Sequence, residues 1–176
     1  MLPDDLPADY VLRGPDGRLG AAASSCTVHE TAIAKLDFLL RYPLCLERVI
    51  QDKGKKLKQP IVIPESEINT IESKMIRFRY GPWDERYRRW IGILVSKGLV
   101  SAFLDNKIVH LKIMPLGKIV ATNLCALPEF EEINRRSKIV VQLVGNMAAT
   151  ALKNYVYKIV PEITSMKWGN EINLLP

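Results

Sequence analysis

The chain has 176 residues, of which 48% are hydrophobic and 25% are charged. This balance is that of an ordinary globular protein and excludes global disorder. The length suits one domain with additional segments, and it allows a core that needs neither metal ions nor disulfides. The longest uncharged helical stretch, residues 139–152, is too short and too polar to span a membrane, and no apolar signal-peptide region opens the sequence. We therefore expect a cytoplasmic protein with no membrane partner.

Basic residues give the chain a formal net charge of +6, which suits nucleic acid or an acidic protein as a partner. They concentrate in two places. The first is a lysine loop, which consists of Lys53, Lys55, Lys56 and Lys58. The second is an arginine cluster, which consists of Arg77, Arg79, Arg86, Arg88 and Arg89.

The three cysteines, Cys26, Cys45 and Cys125, are odd in number and widely spaced, which predicts reduced thiols in a cytosolic chain. Cys45 and Cys125 have apolar neighbours and are predicted to lie in the core. Cys26 and His29 have the C-x-x-H spacing of half a zinc site. Because a structural zinc site needs a second close pair of ligands, we expect no metal here.

In chain order, residues 1–25 are interrupted by Pro and Gly and predict a flexible tail. A helix then begins at Thr27 or His29 and ends near Arg41, because the residue before Pro43 is biased away from helical backbone. Pro43 fits the first turn of a second helix.

Further along, β-branched residues 61–63 predict a short strand, and Pro64 precedes a helix whose apolar face includes Met75 and Ile76. The next predicted helix covers residues 83–97, with Asp84 as its N-cap. The apolar stripe of that helix is predicted to face the core and consists of Trp83, Tyr87, Trp90, Ile91, Leu94 and Val95.

A β-hairpin is predicted over residues 99–114, with its turn at Asp105-Asn106. A short helix at 118–126 follows, and helical spacing then predicts one long helix over residues 128–160. Helices followed by a hairpin are typical of a winged helix-turn-helix, with residues 83–97 as the recognition helix. The predicted class is α+β, mainly α, with a flexible tail (1–25), a winged-helix domain (26–126) and a long C-terminal helix with a docking tail (127–176).

The arginine cluster is compatible with three interpretations: contact with DNA phosphates, a protein interface, or a solvated helix face with pairs such as Glu85–Arg89. The lysine loop and Lys107 in the hairpin are further candidates for contact with a nucleic-acid backbone. An enzyme has little support. Glu72-x-Lys74 matches half of a nuclease motif but lies in a helical pattern, and no phosphate-binding loop is present. We expect no catalytic residues and no cofactor.

Three stretches carry a resemblance to a known family: Ala34–Pro43, Lys74–Asp84 with its Arg-Phe-Arg-Tyr-Gly-Pro-Trp-Asp core, and Lys167-Trp168-Gly169. Together with Lys97-Gly98-Leu99-Val100 they resemble the middle component of bacterial ABC three-component systems, of which the Lamassu antiphage systems are an example. The likeness extends over about residues 30–172.

The resemblance implies a non-catalytic winged-helix adaptor that docks on the head or neck of an SMC-like ABC ATPase in antiphage and antiplasmid defence. It also implies contact with double-stranded DNA and control of an effector nuclease. The arginine cluster is the candidate for DNA or ATPase contacts, and Tyr155 and Trp168 are the candidates for docking. The alternative is a dimeric winged-helix transcription regulator, which would bind palindromic operators.

Overall fold

A computed structural model describes residues 27–57, 59–61, 74–105 and 108–173. Of these residues, 57% are helical and 16% lie in strands, which form small antiparallel sheets. The predicted class, α+β with mainly helices, is confirmed. Several predictions lie outside the described residues: the tail at 1–25, Cys26, Lys58, most of the strand at 61–63, residues 62–73 including Glu72, and Asn106 and Lys107 in the hairpin.

The described residues divide into two compact units. The unit that contains the three-stranded sheet, called the sheet unit, comprises residues 27–30 and 85–148. The other, called the helical unit, comprises residues 31–84 and 149–173. The predicted winged-helix domain and the predicted C-terminal region are therefore each divided between the two units.

In the helical unit, α1 (Glu30–Arg41) and α2 (Pro43–Asp52) follow one another directly. The predicted boundary is confirmed, since helical backbone is interrupted before Pro43, which then occupies the first turn of α2. Two later helices, α6 (Ala149–Ile159) and α7 (Glu162–Ser165), belong to the same unit, and α2 packs against α6. The side chains without exposed surface in this unit are Ala34, Phe38, Leu39, Leu46, Val49, Met75, Val160 and Ile163.

A short antiparallel hairpin completes the helical unit. It consists of β2 (Ile76–Phe78) and β3 (Gly81–Trp83), with Phe78 opposite Gly81. Gly81 has a φ of 117°, a backbone conformation that side chains disfavour. Glycine at this position therefore allows the hairpin to close.

The prediction that Met75 and Ile76 lie in a helix is wrong. Ile76 begins β2, and the strand pairs on its other side with a segment near the C-terminus. The Arg77 N–H donates to the Asn170 carbonyl and the Ile172 N–H donates to the Met75 carbonyl, each at 2.8 Å. The apolar spacing is a local signal, whereas this pairing is made with residues almost a hundred positions away.

The helix predicted over 83–97 is shorter in the structure, where α3 covers Tyr87–Ser96. Trp83 lies in β3 instead. Asp84 was predicted as the N-cap, whereas the residue at the N-cap position of α3 is Arg86, whose side chain makes no capping hydrogen bond; the Asp84 carboxylate accepts a hydrogen bond from Arg41.

In the sheet unit, the predicted hairpin forms from β4 (Val100–Asp105) and β5 (Ile108–Ile113). A third strand, β1 (Thr27–His29), pairs with β5, so the strand order is β1-β5-β4 and every pair is antiparallel. Thr27 and His29 were predicted to start a helix; they form this strand, and the helix starts at the next residue.

After the sheet, the chain forms α4 (Pro115–Cys125), a 3-10 turn (Pro128–Phe130) and α5 (Glu131–Val144). The helix predicted at 118–126 therefore begins earlier, with proline in its first turn. Gly117 packs so closely against the hairpin that a Cβ atom there would lie 2.0 Å from the Leu99 carbonyl oxygen.

The single helix predicted over 128–160 is wrong, because α5 ends at Val144 and α6 begins at Ala149. Between them lies Gly145, a residue type that commonly ends helices. The two helices belong to different units. None of the described helices combines the length and the apolar character that crossing a bilayer requires.

Candidate functional site

An ion-pair network joins α1 to the end of β3 in the helical unit. The Arg41 guanidinium lies 2.6 Å from the Asp37 carboxylate and 2.7 Å from the Asp84 carboxylate. The Asp84 residue is only 5% exposed, so its charge is compensated by Arg41 away from bulk solvent. Breaking a pair of this kind leaves a buried charge without its partner and is strongly destabilising.

Two other polar side chains connect the hairpin to the C-terminal segment. The Tyr42 hydroxyl donates to the Ile172 carbonyl and accepts from the Met75 N–H, both at 2.9 Å. The Arg77 Nε donates to the Ile163 carbonyl at 3.0 Å, and its guanidinium lies 5.1 Å from the centre of the Tyr157 ring. Arg77 was predicted to contact DNA or a partner; part of its hydrogen-bonding capacity is used inside the unit.

These contacts bring together three of the four stretches on which the family resemblance rests. Ala34–Pro43 supplies Arg41 and Tyr42, Lys74–Asp84 supplies the hairpin, and the Gly169 N–H of the third stretch donates to the Arg77 carbonyl at 2.8 Å. Most of their polar residues therefore hold the helical unit together.

Lys35 lies beside the hairpin and is 2% exposed. Its ammonium donates to the Thr31 carbonyl, and its stem lies 3.6 Å from where a Cβ on Gly81 would be. Burial, reinforced by the positive charge of Lys153, lowers the pKa of Lys35 to about 8. A substantial fraction of this lysine is therefore neutral slightly above neutral pH.

The outer surface of the hairpin carries exposed aromatic rings. Phe78, Tyr80 and Trp168 are 44%, 50% and 66% exposed. The Arg79 guanidinium lies 5.3 Å from the centre of the Tyr80 ring. Phe78, Arg79, Tyr80 and Trp168 are called the aromatic rim below. Sequence reasoning singled out Arg79 and Trp168 but missed Phe78 and Tyr80.

Helix α3 does not have the buried apolar stripe that its spacing predicted. Tyr87 is its only buried residue. The last turns expose Ile93, Leu94 and Val95 by 42%, 38% and 40%, although Leu94 and Val95 were predicted to face the core. Apolar spacing identifies one face of a helix but gives no information about what covers it.

The arginines of α3 differ in their surroundings. Arg88 and Arg89 are exposed, and among the described residues no ion pair joins Glu85 to Arg89. Arg86 instead lies over the Trp90 ring, 4.9 Å from its centre. Arg88 and Arg89 are therefore the members of the arginine cluster best placed to contact an external anion.

Exposed apolar side chains continue over the rest of the sheet unit. Leu104 is 69% exposed and Leu116 is 51% exposed. The apolar surface is defined here by the exposed large side chains of β4, β5, α4, the 3-10 turn and α5, namely Phe103, Leu104, Ile108, Ile113, Leu116, Ile119, Leu124, Leu127, Phe130 and Ile133.

The remaining binding predictions have different outcomes. Lys53, Lys55 and Lys56 are exposed, as a loop that binds a nucleic-acid backbone requires.

Tyr155 is 9% exposed, its hydroxyl donates to Asp52 at 2.8 Å, and the Lys53 ammonium lies 4.7 Å from its ring centre. Tyr155 was predicted to dock on a partner, but its buried ring offers little surface for that purpose. The hydrogen bonds from Lys158 and then Tyr155 lower the pKa of Asp52.

The cysteine and histidine side chains within the described residues differ in their surroundings. Cys45 is buried as predicted, and burial raises the pKa of its thiol to about 12, whereas Cys125 is half-buried. His29 and His110 face each other across β1 and β5, with ring centres 4.5 Å apart. Burial, and then the neighbouring His110, lower the pKa of His29.

Within the described part of the chain, no three His, Cys, Asp or Glu side chains converge in a way that could hold a metal ion. Lys74, from the partial nuclease motif, donates to Glu171 at 3.1 Å. The candidate sites among the described side chains are therefore two exposed surfaces, an apolar one in the sheet unit and an aromatic one in the helical unit.

No protein-family model matches the chain, and no curated protein or solved structure is significantly similar to it.

Proposed function

We propose that the chain is a non-catalytic adaptor subunit, and that the apolar surface of its sheet unit binds a protein partner. The observation that carries the proposal is the exposure of that surface. Large exposed apolar patches commonly mark interaction sites, and we propose that side chains of the apolar surface contribute to one. The family resemblance supplies the partner, which is an SMC-like ABC ATPase that acts in antiphage and antiplasmid defence with an effector nuclease.

Helix α4 supports a helical partner. Leu116, Ile119 and Leu124 are 51%, 39% and 41% exposed. Leu116 is three residues from Ile119 and eight from Leu124, spacings that keep it near both on the helix surface, so these side chains form one broad apolar strip centred on Leu116. Such a strip suits the apolar face of another helix, as in a coiled-coil neck.

The two ends of helix α3 suit different partners, protein at the C-terminal end and DNA at the beginning. Ile93, Leu94 and Val95 near its C-terminal end are apolar, which favours protein contact over the polar groove of DNA. Arg88 and Arg89 at its beginning carry exposed charges that suit DNA phosphates. A helix followed by a hairpin, with a third strand beside the return strand, is also the order of a winged helix, and we propose that the sheet unit is a modified form of that fold.

The test is co-expression of the tagged chain with the genes beside its own, followed by native mass measurement of the purified assembly. The expected result is an ATPase subunit at fixed stoichiometry. Replacing Leu116 and Leu124 by Glu should remove the ATPase, because a carboxylate buried in an apolar interface is costly. A matched variant, Gln51→Glu with Asn154→Glu, adds the same two negative charges at exposed positions of the helical unit and should retain it.

Two results would overturn the proposal. One is an unchanged assembly in the Leu116→Glu, Leu124→Glu variant. The other is a bare homodimer that binds a palindromic operator, which would establish the transcription regulator instead.

The proposed DNA contact is tested by a separate variant. Arg88→Glu with Arg89→Glu should abolish binding to duplex DNA at low salt, and unchanged binding would refute that assignment.

A further inference from the structure

The aromatic rim of the helical unit is distinct from the apolar surface and independent of the proposed protein partner. Five large aromatic side chains are exposed among the described residues, and Phe78, Tyr80 and Trp168 belong to the rim. The other two, Phe103 and Phe130, lie in the sheet unit. Aromatic exposure in the helical unit is therefore confined to this one place.

Backbone pairing brings the rim residues together. Phe78 ends β2, and Tyr80 lies in the turn that follows it. Trp168 directly precedes Gly169, whose N–H donates to the Arg77 carbonyl at 2.8 Å. Paired chain segments are about 4.8 Å apart, so the Trp168 backbone is next to the end of β2.

Hydrogen bonds join the backbone of the rim to the rest of the helical unit. Phe78 is opposite Gly81, and the centre of its ring lies 6.2 Å from the centre of the Trp83 ring. Gly81 and Gly169 have φ values of 117° and 84°, which allow the turns beside Tyr80 and Trp168. The Arg77 and Tyr42 contacts anchor the hairpin backbone that carries Phe78 and Tyr80.

The segments that carry the rim, residues 74–84 and 167–173, contain more basic than acidic residues. Arg79 and Lys167 are exposed. The two carboxylates of the same segments are compensated, since Asp84 is buried against Arg41 and Glu171 accepts from Lys74. A ligand that is anionic and presents flat rings fits this combination.

We propose that the aromatic rim binds single-stranded nucleic acid, with unpaired bases stacked on Phe78, Tyr80 and Trp168 and phosphates near Arg79 and Lys167. Exposed aromatic rings next to basic side chains are the common platform for single strands. A duplex fits less well, because its bases are already stacked on one another. An uncharged apolar protein segment would leave the positive charges unused.

The test uses the full-length chain and fluorescein-labelled oligo(dT) and oligo(U) of about 20 nucleotides, a length chosen to exceed a site of about 4–16 nucleotides. Anisotropy at low salt should show binding that unlabelled single strand competes away more effectively than the same length of duplex. Each of Tyr80→Ala and Trp168→Ala should weaken binding by about 5- to 150-fold. The two labels distinguish DNA from RNA.

A matched control lies in the other unit: Phe103→Ala removes a ring that is 46% exposed and should leave binding unchanged. Trp168→Phe keeps a stacking surface and should retain part of the affinity, whereas a general loss of folding would not be rescued in this way. Absence of single-strand binding, equal competition by duplex, or wild-type affinity in the alanine variants would overturn the proposal. Loss of a co-purified protein in the rim variants, with single-strand binding intact, would also overturn it and assign the rim to protein contact.

Discussion

The two units differ in how much of their apolar side chains they bury. In the helical unit, Phe38 and Leu46 have no exposed surface, whereas in the sheet unit Phe103 and Leu104 are 46% and 69% exposed. The buried apolar side chains of the sheet unit are only four among its described residues: Tyr87, Leu111, Val140 and Val144. Since hydrophobic stabilisation scales with the apolar area removed from water, the helical unit has the stronger core of its own.

This difference indicates separate roles. A unit that buries its apolar residues in the chain alone is stabilised without a partner, and it carries the aromatic rim. A unit that leaves them exposed has stabilisation still to gain when a partner covers them. The sheet unit is accordingly the part of the chain that we expect to gain most from assembly.

The largest expected effect is on the free energy of unfolding, and it distinguishes a buried leucine from an exposed one. Leu46→Ala should lower the free energy of unfolding by about 2–5 kcal/mol, because it creates a cavity in a closed core. Leu104→Ala should change it by at most about 0.5 kcal/mol in the isolated chain, because the side chain is already solvated. Urea unfolding followed by circular dichroism measures both. Equal losses would contradict the assignment of core and surface.

The next effect tests the buried lysine of the helical unit. Because the pKa of Lys35 is about 8 in the fold and 10.5 as a free side chain, the unfolded chain binds the extra proton between these values. Stability should therefore rise with pH from about 8 to about 10.5, in total by about 3 kcal/mol. Lys35→Met keeps the apolar stem and should lack this rise.

Tyrosine titration also affects stability near the upper end of that range, and it affects the wild type and the Lys35→Met variant alike. The quantity to measure is thus the difference in unfolding free energy between wild type and Lys35→Met at several pH values from 8 to 10. A difference that does not change with pH would show that Lys35 is not shielded from water.

A smaller effect tests whether the sheet unit is well ordered despite its few buried residues. Gly117→Ala would place a Cβ 2.0 Å from the Leu99 carbonyl oxygen and should cost about 1–3 kcal/mol. Gly92→Ala, in the exposed middle of α3, meets no atom within 4 Å and should stabilise by up to about 1 kcal/mol. Thermal melts of the two variants should therefore shift in opposite directions. Indistinguishable melts would mean that α4 does not pack closely on the hairpin.

The sequence predicted features whose cause is local. The break before Pro43 follows from the backbone restriction that proline imposes, and the hairpin at 99–114 follows from alternating residues on both sides of a turn. Cys45 was placed in the core by its apolar neighbours, and the structure buries it.

The features that sequence reasoning missed depend on distant residues. Ile76 has helical spacing, yet its backbone pairs with Glu171. The regular spacing of apolar residues from 128 to 160 predicted one continuous helix. The helix is interrupted after Val144, next to Gly145, a residue type that commonly ends helices. Leu94 and Val95 fit an apolar stripe, but whether such a stripe is covered depends on tertiary packing and on partners.

The most direct test of the central claim, that a protein partner covers the sheet unit, is hydrogen–deuterium exchange of the chain alone and in the co-expressed assembly. We expect slower exchange in β4, β5 and α4 within the assembly, while the amides of α1 and α2 exchange at the same rate in both samples. An assembly in which β4, β5 and α4 exchange as fast as in the free chain would contradict the claim.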